Sequence, residues 1–336
     1  MESKWRALKW RAAGSTVQRN RGGSALKRPL AATVLLTFAL VVETTYLIAP
    51  MDGQTSVARV PMNEISGEEV VQVSINGTGP YDFILDTGSN VTIMRSQLNR
   101  KLNLSSGAPM AIVTATGETC GQRVIIESIA VAGLAVKHLE INALDRVQVL
   151  HGRVQGILGE NFLKNFDILI DNEQQTLFID RTSILEGTVA GERLSFSRFG
   201  SFDYKPTPDR IVIKLKVPSF MGKSLLFLVD SGINTAALYP QPGGQALRAL
   251  QSSQHVNMSV IAKTQKTTLE IGGGTFRGLE LVACEGLTRN KMDTDGLLPT
   301  RVFHRFFISH RGGYVIANPR SLEKLGDPFA QLGRDK

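Results

Sequence analysis

The sequence has few cysteines and histidines, and it lacks a serine hydrolase motif. Its two cysteines, Cys120 and Cys284, have a spacing that matches no metal motif, and they could pair in an exported protein or remain as two thiols. The five histidines show no spacing such as H-E-x-x-H, so we predict no metal and no cofactor. No G-x-S-x-G motif occurs, which argues against a serine hydrolase.

The chain also lacks a charge excess outside its first residues. Its formal net charge is +8, but residues 1–29 contain eight basic residues and one acidic residue. From Leu30 onward, 30 basic residues stand against 29 acidic residues. A nearly neutral folded region lacks the basic surface that nucleic-acid binding requires, so we predict no nucleic-acid partner.

The basic tail precedes an apolar run, Leu30–Val42, in the order typical of an export signal. Because positive residues stay on the cytoplasmic side, the rest of the chain is predicted to be exported, periplasmic or extracytoplasmic. The run is short for a spanning helix, which needs about 20 residues, although residues 30–49 reach that length. Residues 1–50 are therefore a signal peptide or an inner-membrane anchor, and the missing adjacent cleavage site slightly favours the anchor.

A long internal repeat organises the remainder. Residues 70–90 and 211–234 each contain two apolar strands, a turn, and the motif Asp-[Thr/Ser]-Gly-x-Asn, with Asp86 and Asp230 144 positions apart. Farther along, Gly156 and Gly296 occupy matching apolar loops 140 positions apart. A period this long indicates duplicated domains rather than a solenoid. We predict a first lobe over 62–186, a linker over 187–207 and a second lobe over 208–325.

Strand patterns dominate both predicted lobes. Alternating or continuous apolar runs, bounded by Gly, Pro and Asn, predict most of the elements as strands. Short helices are predicted over 95–102 and 244–250, after the two Asp motifs. The sequence therefore predicts a mostly β protein with a few helices.

The Asp motifs carry the chemistry. An Asp at the end of a buried strand is costly unless it is paired or hydrogen-bonded, and each motif supplies a hydroxyl and a glycine that permits a tight turn. If the repeats pack about a pseudo-two-fold axis, the carboxyls of Asp86 and Asp230 meet there and share one proton. One carboxylate can then activate water while the other protonates a substrate carbonyl.

The motif Asp86-Thr87-Gly88 after two apolar residues, followed later by Ile157-Leu158-Gly159, resembles retropepsin-like aspartic proteases. The duplication resembles pepsin-like enzymes in plan, and the chain looks most like bacterial exported aspartyl proteases with tandem lobes. The similarity covers about residues 60–319. It implies two homologous retropepsin-like (acid protease) lobes that form a pseudo-dimer, preceded by the N-terminal signal or anchor segment.

The resemblance also implies a role for each matching residue. The implied catalytic pair is Asp86 and Asp230, supported by Thr87 and Ser231 across the axis, by Gly88 and Gly232 in the turns, and by the loops of Gly159 and Gly296 behind the Asp strands. The flap candidates are Thr114, Thr116 and Gly117.

Two departures qualify the expected function. Pro299 stands where the family pattern has glycine, so the brace behind Asp230 must differ, and neither flap region contains the tyrosine typical of pepsin-like enzymes. The expected function is an aspartic endopeptidase that hydrolyses a polypeptide substrate as a two-lobed monomer. The alternative is a catalytically inactive protein that binds extended peptides in the cleft between the lobes. A site formed by homodimerisation is disfavoured, because one chain carries both motifs.

Overall fold

The apolar runs of the sequence form strands throughout the computed structural model, as the patterns predict. The structure describes residues 57–114, 117–145, 150–198, 200–202, 205–207, 209–217, 224–239, 252–256, 260–271, 274–283 and 294–321. The predicted anchor over 30–49 and the predicted helix over 244–250 lie outside these residues. Within the described ranges, no helix is long and apolar enough to cross a membrane.

Strands far outnumber helices along the chain. The strands up to residue 180 are β1 (Val57–Pro61), β2 (Asn63–Ile65), β3 (Glu68–Ile75), β4 (Thr78–Leu85), β5 (Ile93–Arg95), β6 (Ser106–Thr114), β7 (Gly117–Val131), β8 (Leu134–Leu144), β9 (Gly156–Leu158), β10 (Asp167–Asp171) and β11 (Thr176–Asp180). The later strands are β12 (Val189–Ala190), β13 (Leu194–Ser195), β14 (Gly200–Phe202), β15 (Lys205–Thr207), β16 (Val212–Lys216), β17 (Ser224–Asp230), β18 (Ala236–Leu238), β19 (Ser252–Val256), β20 (Val260–Ile271), β21 (Gly274–Ala283), β22 (Gly296–Pro299), β23 (Arg305–Ser309), β24 (Tyr314–Ala317) and β25 (Arg320–Ser321). The helices are α1 (Ser96–Lys101), α2 (Glu160–Leu163), α3 (Ile184–Thr188) and a 3-10 helix over Thr300–Val302.

The first sheet has eight strands in the order β2-β3-β4-β9-β5-β8-β7-β6. Two-residue turns join several neighbours, and both turn residues have positive φ in Ser66–Gly67, Asn76–Gly77 and Ala132–Gly133. This geometry is the type I′ turn, whose twist matches that of the flanking strands. The local sequence thus sets the hairpin register that places β4 in the middle of the sheet.

A short strand, β9, lies between β4 and β5 in the first sheet. We call β9 and its counterpart β22, each with its flanking loop, the threaded loops. Strand β9 runs parallel to β4, from the pair Phe83–Gly156 to the pair Leu85–Leu158, and antiparallel to β5 on its other side. A side chain at Gly156 would overlap the Phe83 ring and the carbonyl of Ile93, so only glycine fits there. Strand β9, in the predicted supporting loop, therefore lies beside the first Asp strand within the same sheet.

The second sheet repeats these pairings. Its seven strands have the order β16-β17-β22-β18-β21-β20-β19. Strand β22 runs parallel to β17, from the pair Phe227–Gly296 to the pair Asp230–Pro299. Strands β18 and β21 are parallel, as β5 and β8 are in the first sheet. Both Asp motifs therefore leave a sheet at the end of a strand that is buried between a hairpin partner and a threaded loop.

A six-stranded sheet, which we call the joining sheet, combines strands from both parts of the chain in the order β1-β11-β10-β23-β24-β13. Its central pair, β10 and β23, is antiparallel with Ile168 opposite Ile308. One core cluster includes Phe83 of the first sheet, Phe227 of the second and Phe306 of the joining sheet. The segment predicted as a linker over 187–207 also contributes, since β13 pairs with β24 and β12 pairs with β25.

Candidate active site

The two Asp motifs meet at one place. A Cβ atom built on Gly88 would lie 2.5 Å from Oδ2 of Asp230, and one built on Gly232 would lie 2.9 Å from Oδ2 of Asp86. The two carboxyl groups are therefore adjacent, and each influences the ionisation of the other. Any residue larger than glycine at position 88 or 232 would therefore occupy the space of the opposite carboxyl group.

Crossed hydrogen bonds hold the two loops together. The Thr87 amide donates to Oγ of Ser231 at 3.0 Å, and the Ser231 amide donates to Oγ1 of Thr87 at 3.1 Å. The Thr87 hydroxyl donates to the carbonyl of Val229 at 3.0 Å, while the Ser231 hydroxyl donates to the carbonyl of Leu85 at 2.8 Å. Both side chains are buried. Each hydroxyl group thus donates one hydrogen bond and accepts one, and these bonds hold the two loops against each other.

Amide groups also hold each carboxyl group. The Gly88 and Ser89 amides donate to Oδ1 of Asp86 at 2.8 and 2.9 Å, and the Gly232 amide donates to Oδ1 of Asp230 at 2.9 Å. Asp86 therefore receives two loop amides and Asp230 one among the described contacts. This difference makes the negative charge easier to hold on Asp86.

Burial and mutual repulsion favour protonation of the pair. Burial raises the pKa of Asp86 to about 6, against the opposing effect of the Gly88 and Ser89 amides. Burial raises the pKa of Asp230 well above its ordinary value, and the nearby Asp86 carboxylate raises it further. A pair with such properties holds one shared proton over a range of pH.

The threaded loops next to the two Asp strands make different contacts near the carboxyl groups, and we call these contacts the braces. Behind Asp86, the Gly159 amide donates to Oγ1 of Thr92 at 3.1 Å. Pro299 stands opposite Asp230 and has no amide hydrogen, and Ala236 occupies the position 144 residues after Thr92. The donor and the acceptor of this hydrogen bond are therefore both missing from the second brace. The expectation that Pro299 requires a different brace agrees with this geometry.

A turn of the first sheet also reaches the site. Glu68 lies near enough to raise the pKa of Asp230, and its own pKa is raised to about 7 by burial and then by Asp86. Oε2 of Glu68 is buried and accepts no hydrogen bond in the described part of the chain. No sequence pattern selects Glu68, because its proximity to the Asp motifs depends on the register of β3 against β4.

Two of the flap candidates, Thr114 and Gly117, lie at the tip of the hairpin formed by β6 and β7. Thr114 is the last residue of β6, and Gly117, the first of β7, pairs with it. Thr116 lies outside the described residues. Cys120 is exposed with a free thiol, and Cys284 lies outside the described residues, so the structure does not test their predicted alternatives.

Comparisons with known proteins agree with this geometry. Residues 71–162 match a family model described as "Aspartyl protease". No curated protein matches the chain. An aspartic proteinase from Irpex lacteus has a similar structure, with a TM-score of 0.51 and 13% identity, over 78% of this chain and 97% of that one. A retropepsin-like aspartic protease from Rickettsia conorii is 18% identical over 37% of this chain and 91% of that one, with a TM-score of 0.30.

The matched segment contains the first Asp motif and its threaded loop, and the likeness to the Irpex lacteus structure extends over most of the chain at the level of fold. Residues 71–162 are therefore similar to the aspartyl protease family, and the chain has the fold of the aspartic proteinase from Irpex lacteus.

Proposed function

We propose that this protein is an aspartic endopeptidase in which Asp86 and Asp230 activate the water that cleaves a peptide bond. The observation that carries the proposal is the meeting of the two carboxyl groups, each against the glycine of the opposite motif. Two adjacent turn aspartates, one buried and one half-buried, would be costly without a chemical role, because burial and repulsion disfavour ionisation. The presence of such a pair, fixed by four crossed hydrogen bonds, supports a catalytic role.

The asymmetry of the pair suggests how the proton moves. Asp86, which receives two amide hydrogen bonds, takes a proton from water as the water oxygen attacks the substrate carbonyl carbon. Asp230 gives its proton to the carbonyl oxygen, and a tetrahedral diol forms. When the diol collapses, the C–N bond breaks, the leaving nitrogen receives the proton held by Asp86, and a diol hydroxyl returns a proton to Asp230.

The proposal includes an arrangement of two homologous lobes, predicted over 62–186 and 208–325, with the peptide bound between them. The equivalent pairings of β4 with β9 and of β17 with β22 support this arrangement. Export, with residues 30–49 as an inner-membrane anchor, also belongs to the proposal and is supported by the basic tail before the apolar run.

The test is cleavage of an unfolded protein substrate by the full-length protein and by its Asp86→Asn and Asp230→Asn variants. Because the two carboxyls act as a unit, each variant is expected to lose activity by about 10³-fold or more. Cleavage by the parent protein should rise as the pH increases through about 6, where Asp86 ionises while Asp230 stays protonated. Full activity in either variant would contradict the proposal.

The alternative of a catalytically inactive peptide-binding protein makes the opposite prediction in the same assay. Pro299 is the reason to consider it, but the Asp230–Pro299 pairing is regular and the Asp230 loop keeps its hydrogen bonds. Peptide binding without turnover at any pH, by protein whose fold is confirmed by circular dichroism, would favour that alternative.

A further inference from the structure

Among the described residues, hydrogen bonds of Asn161 join the parts of the Asp86 side to each other, an arrangement, called here the internal lock, that the Asp230 side lacks. Oδ1 of Asn161 accepts from the Thr92 amide at 2.8 Å and from the Thr92 hydroxyl at 2.7 Å, while its Nδ2 donates to the carbonyl of Glu140 at 2.7 Å. All of these partners belong to the first sheet or to the helix that follows β9. At the corresponding positions the second sheet has Ala236, 144 residues after Thr92, and Arg301, 140 residues after Asn161.

Arg301 contacts both the first sheet and the Asp230 loop. Its Nη1 donates to the carbonyl of Gly67 and to Oδ1 of Asn234, and its Nη2 donates to Oε2 of Glu64 at 3.1 Å. Asn234 closes the Asp230 motif, whereas Glu64 and Gly67 belong to the hairpin of β2 and β3. The fork of one guanidinium group thus connects the Asp230 loop with the first sheet, a geometry that lysine or glutamine cannot reproduce.

The hairpin turn is shaped to fit this contact. Gly67 has a φ of +86°, and a Cβ atom on it would lie 2.9 Å from Nδ2 of Asn234. The turn therefore packs directly on the Asp230 motif. Arg301 has 21% of its side chain exposed, and its Nε lies 3.8 Å from Oε1 of Glu69, whose side chain is 1% exposed. This position shields the guanidinium from water and strengthens its hydrogen bonds.

We propose that Arg301 is a positioning residue for Asp230: it replaces the missing internal lock by fastening the Asp230 loop to the Ile65–Glu68 turn of the first sheet. The proposal rests on the proposed function for its catalytic consequence, but the local fastening can be measured independently of activity. Arg301 acts through Asn234 and the turn, without contact to the carboxyl group of Asp230 among the described contacts.

The first experiment compares amide hydrogen exchange in the full-length protein and in Arg301→Gln. The Ser231 amide donates to Thr87 of the opposite loop and the Gly232 amide donates to Asp230, while the Gly88 and Ser89 amides, which both donate to Asp86, are the internal control in the Asp86 loop. Loss of a charge-assisted hydrogen bond should accelerate exchange of the first pair about tenfold or more, while exchange of the second pair stays nearly constant. Equal acceleration in both loops, or none in either, would overturn the proposal.

The second experiment measures peptide cleavage by Arg301→Ala with and without millimolar guanidinium ion. We expect kcat to fall about tenfold or more with a smaller change in KM, because the variant displaces Asp230 rather than the substrate. Guanidinium should restore part of kcat, and the same concentration of potassium chloride should not. A kcat equal to that of the parent protein, or a loss confined to KM, would count against Arg301 as a positioning residue.

Arg305→Gln is the matched control variant. Arg305 is also an arginine that pairs with a carboxylate from the other part of the chain, but its partner is Asp171 of the joining sheet, at 2.8 Å. The Arg305→Gln variant should have a lower midpoint of thermal unfolding than the parent protein, and guanidinium ion should not raise its kcat. If the parent protein itself cleaves no peptide, the proposed function fails, and the exchange experiment still decides whether Arg301 fastens the loop.

Discussion

At the scale of single residues, several buried or half-buried carboxyl groups lie around one site. Burial is the largest cause of the raised pKa of Glu68, Glu69, Asp86 and Asp230. Arg301 opposes the shift at Glu68 and Glu69, but it does not cancel it. The folded protein therefore holds protons that the unfolded chain would release at the same pH, and its stability must depend on pH.

Glu68→Gln tests this linkage. The pKa of Glu68 rises from 4.5 to about 7 on folding, so the folded state binds more protons between these values. The stabilisation that comes from the proton held by Glu68 in the folded state is complete below about pH 4.5 and is lost as the pH rises through about 7. Urea denaturation at pH 4 and at pH 8 gives the unfolding free energy of both proteins. The difference between them should move in favour of Glu68→Gln as the pH rises from 4 to 8.

The control for this prediction is Glu127→Gln, which changes an exposed glutamate of β7. Its unfolding free energy should follow that of the parent protein at both pH values. The linkage argument would be wrong if Glu68→Gln and Glu127→Gln had the same dependence on pH.

At the scale of elements, the threaded loops β9 and β22 perform the same task with different chemistry. Gly159 donates its amide to Thr92, and a Cβ atom on it would lie 2.6 Å from the carbonyl oxygen of Val91. Pro299 has no amide hydrogen to donate, and its φ of −70° is an ordinary value for proline. The two positions are therefore not interchangeable.

Reciprocal substitution measures this difference. Gly159→Pro removes a buried hydrogen bond and introduces an overlap with backbone, so we expect a loss of about 3 kcal/mol or more in unfolding free energy. Pro299→Gly breaks no hydrogen bond of the proline nitrogen, but it removes a buried ring and increases the freedom of the unfolded chain, so it should cost less, about 1–2 kcal/mol. Urea denaturation of both variants gives the comparison, and similar losses would show that the two loops are braced alike.

The sequence predicted the parts of the site that recur along the chain. The repeated motifs located both Asp loops, and the matching apolar loops located β9 and β22. Glu68 and Arg301 were missed because their importance comes from contacts that depend on the folded arrangement, and Arg301 reaches Gly67 across 234 positions, which no local pattern reveals. Asn234 had a signal, since it ends the second copy of the motif, but its partner Arg301 could not be inferred from spacing.

At the scale of the whole molecule, the joining sheet makes the two Asp loops parts of one cooperative unit. Asp171 of β10 pairs with Arg305 of β23, and the Asp171 side chain is 4% exposed. The Asn172 side-chain amide also donates to the carbonyls of Thr300 and Phe303, in the segment that follows Pro299. Separation of the two parts would expose these groups together with the apolar strands around them.

Arg305→Met tests the contribution of this sheet. Removal of the cation leaves the Asp171 carboxylate buried with less compensation, which should lower the unfolding free energy by about 1–3 kcal/mol. Because the sheet is shared, fluorescence and circular dichroism should report one coincident transition in both proteins. Two separate transitions in the parent protein would show instead that the parts of the chain unfold independently.

The differing braces have a consequence for how such a protein can change under selection. In a symmetric dimer of identical chains, one gene supplies both Asp loops, so every mutation is inherited by both sides at once. In this chain, Gly159 and Pro299 are separate codons, as are Asn161 and Arg301. Selection can therefore alter the surroundings of one carboxyl group while leaving the other unchanged, and a library confined to residues 296–302 would do the same in the laboratory.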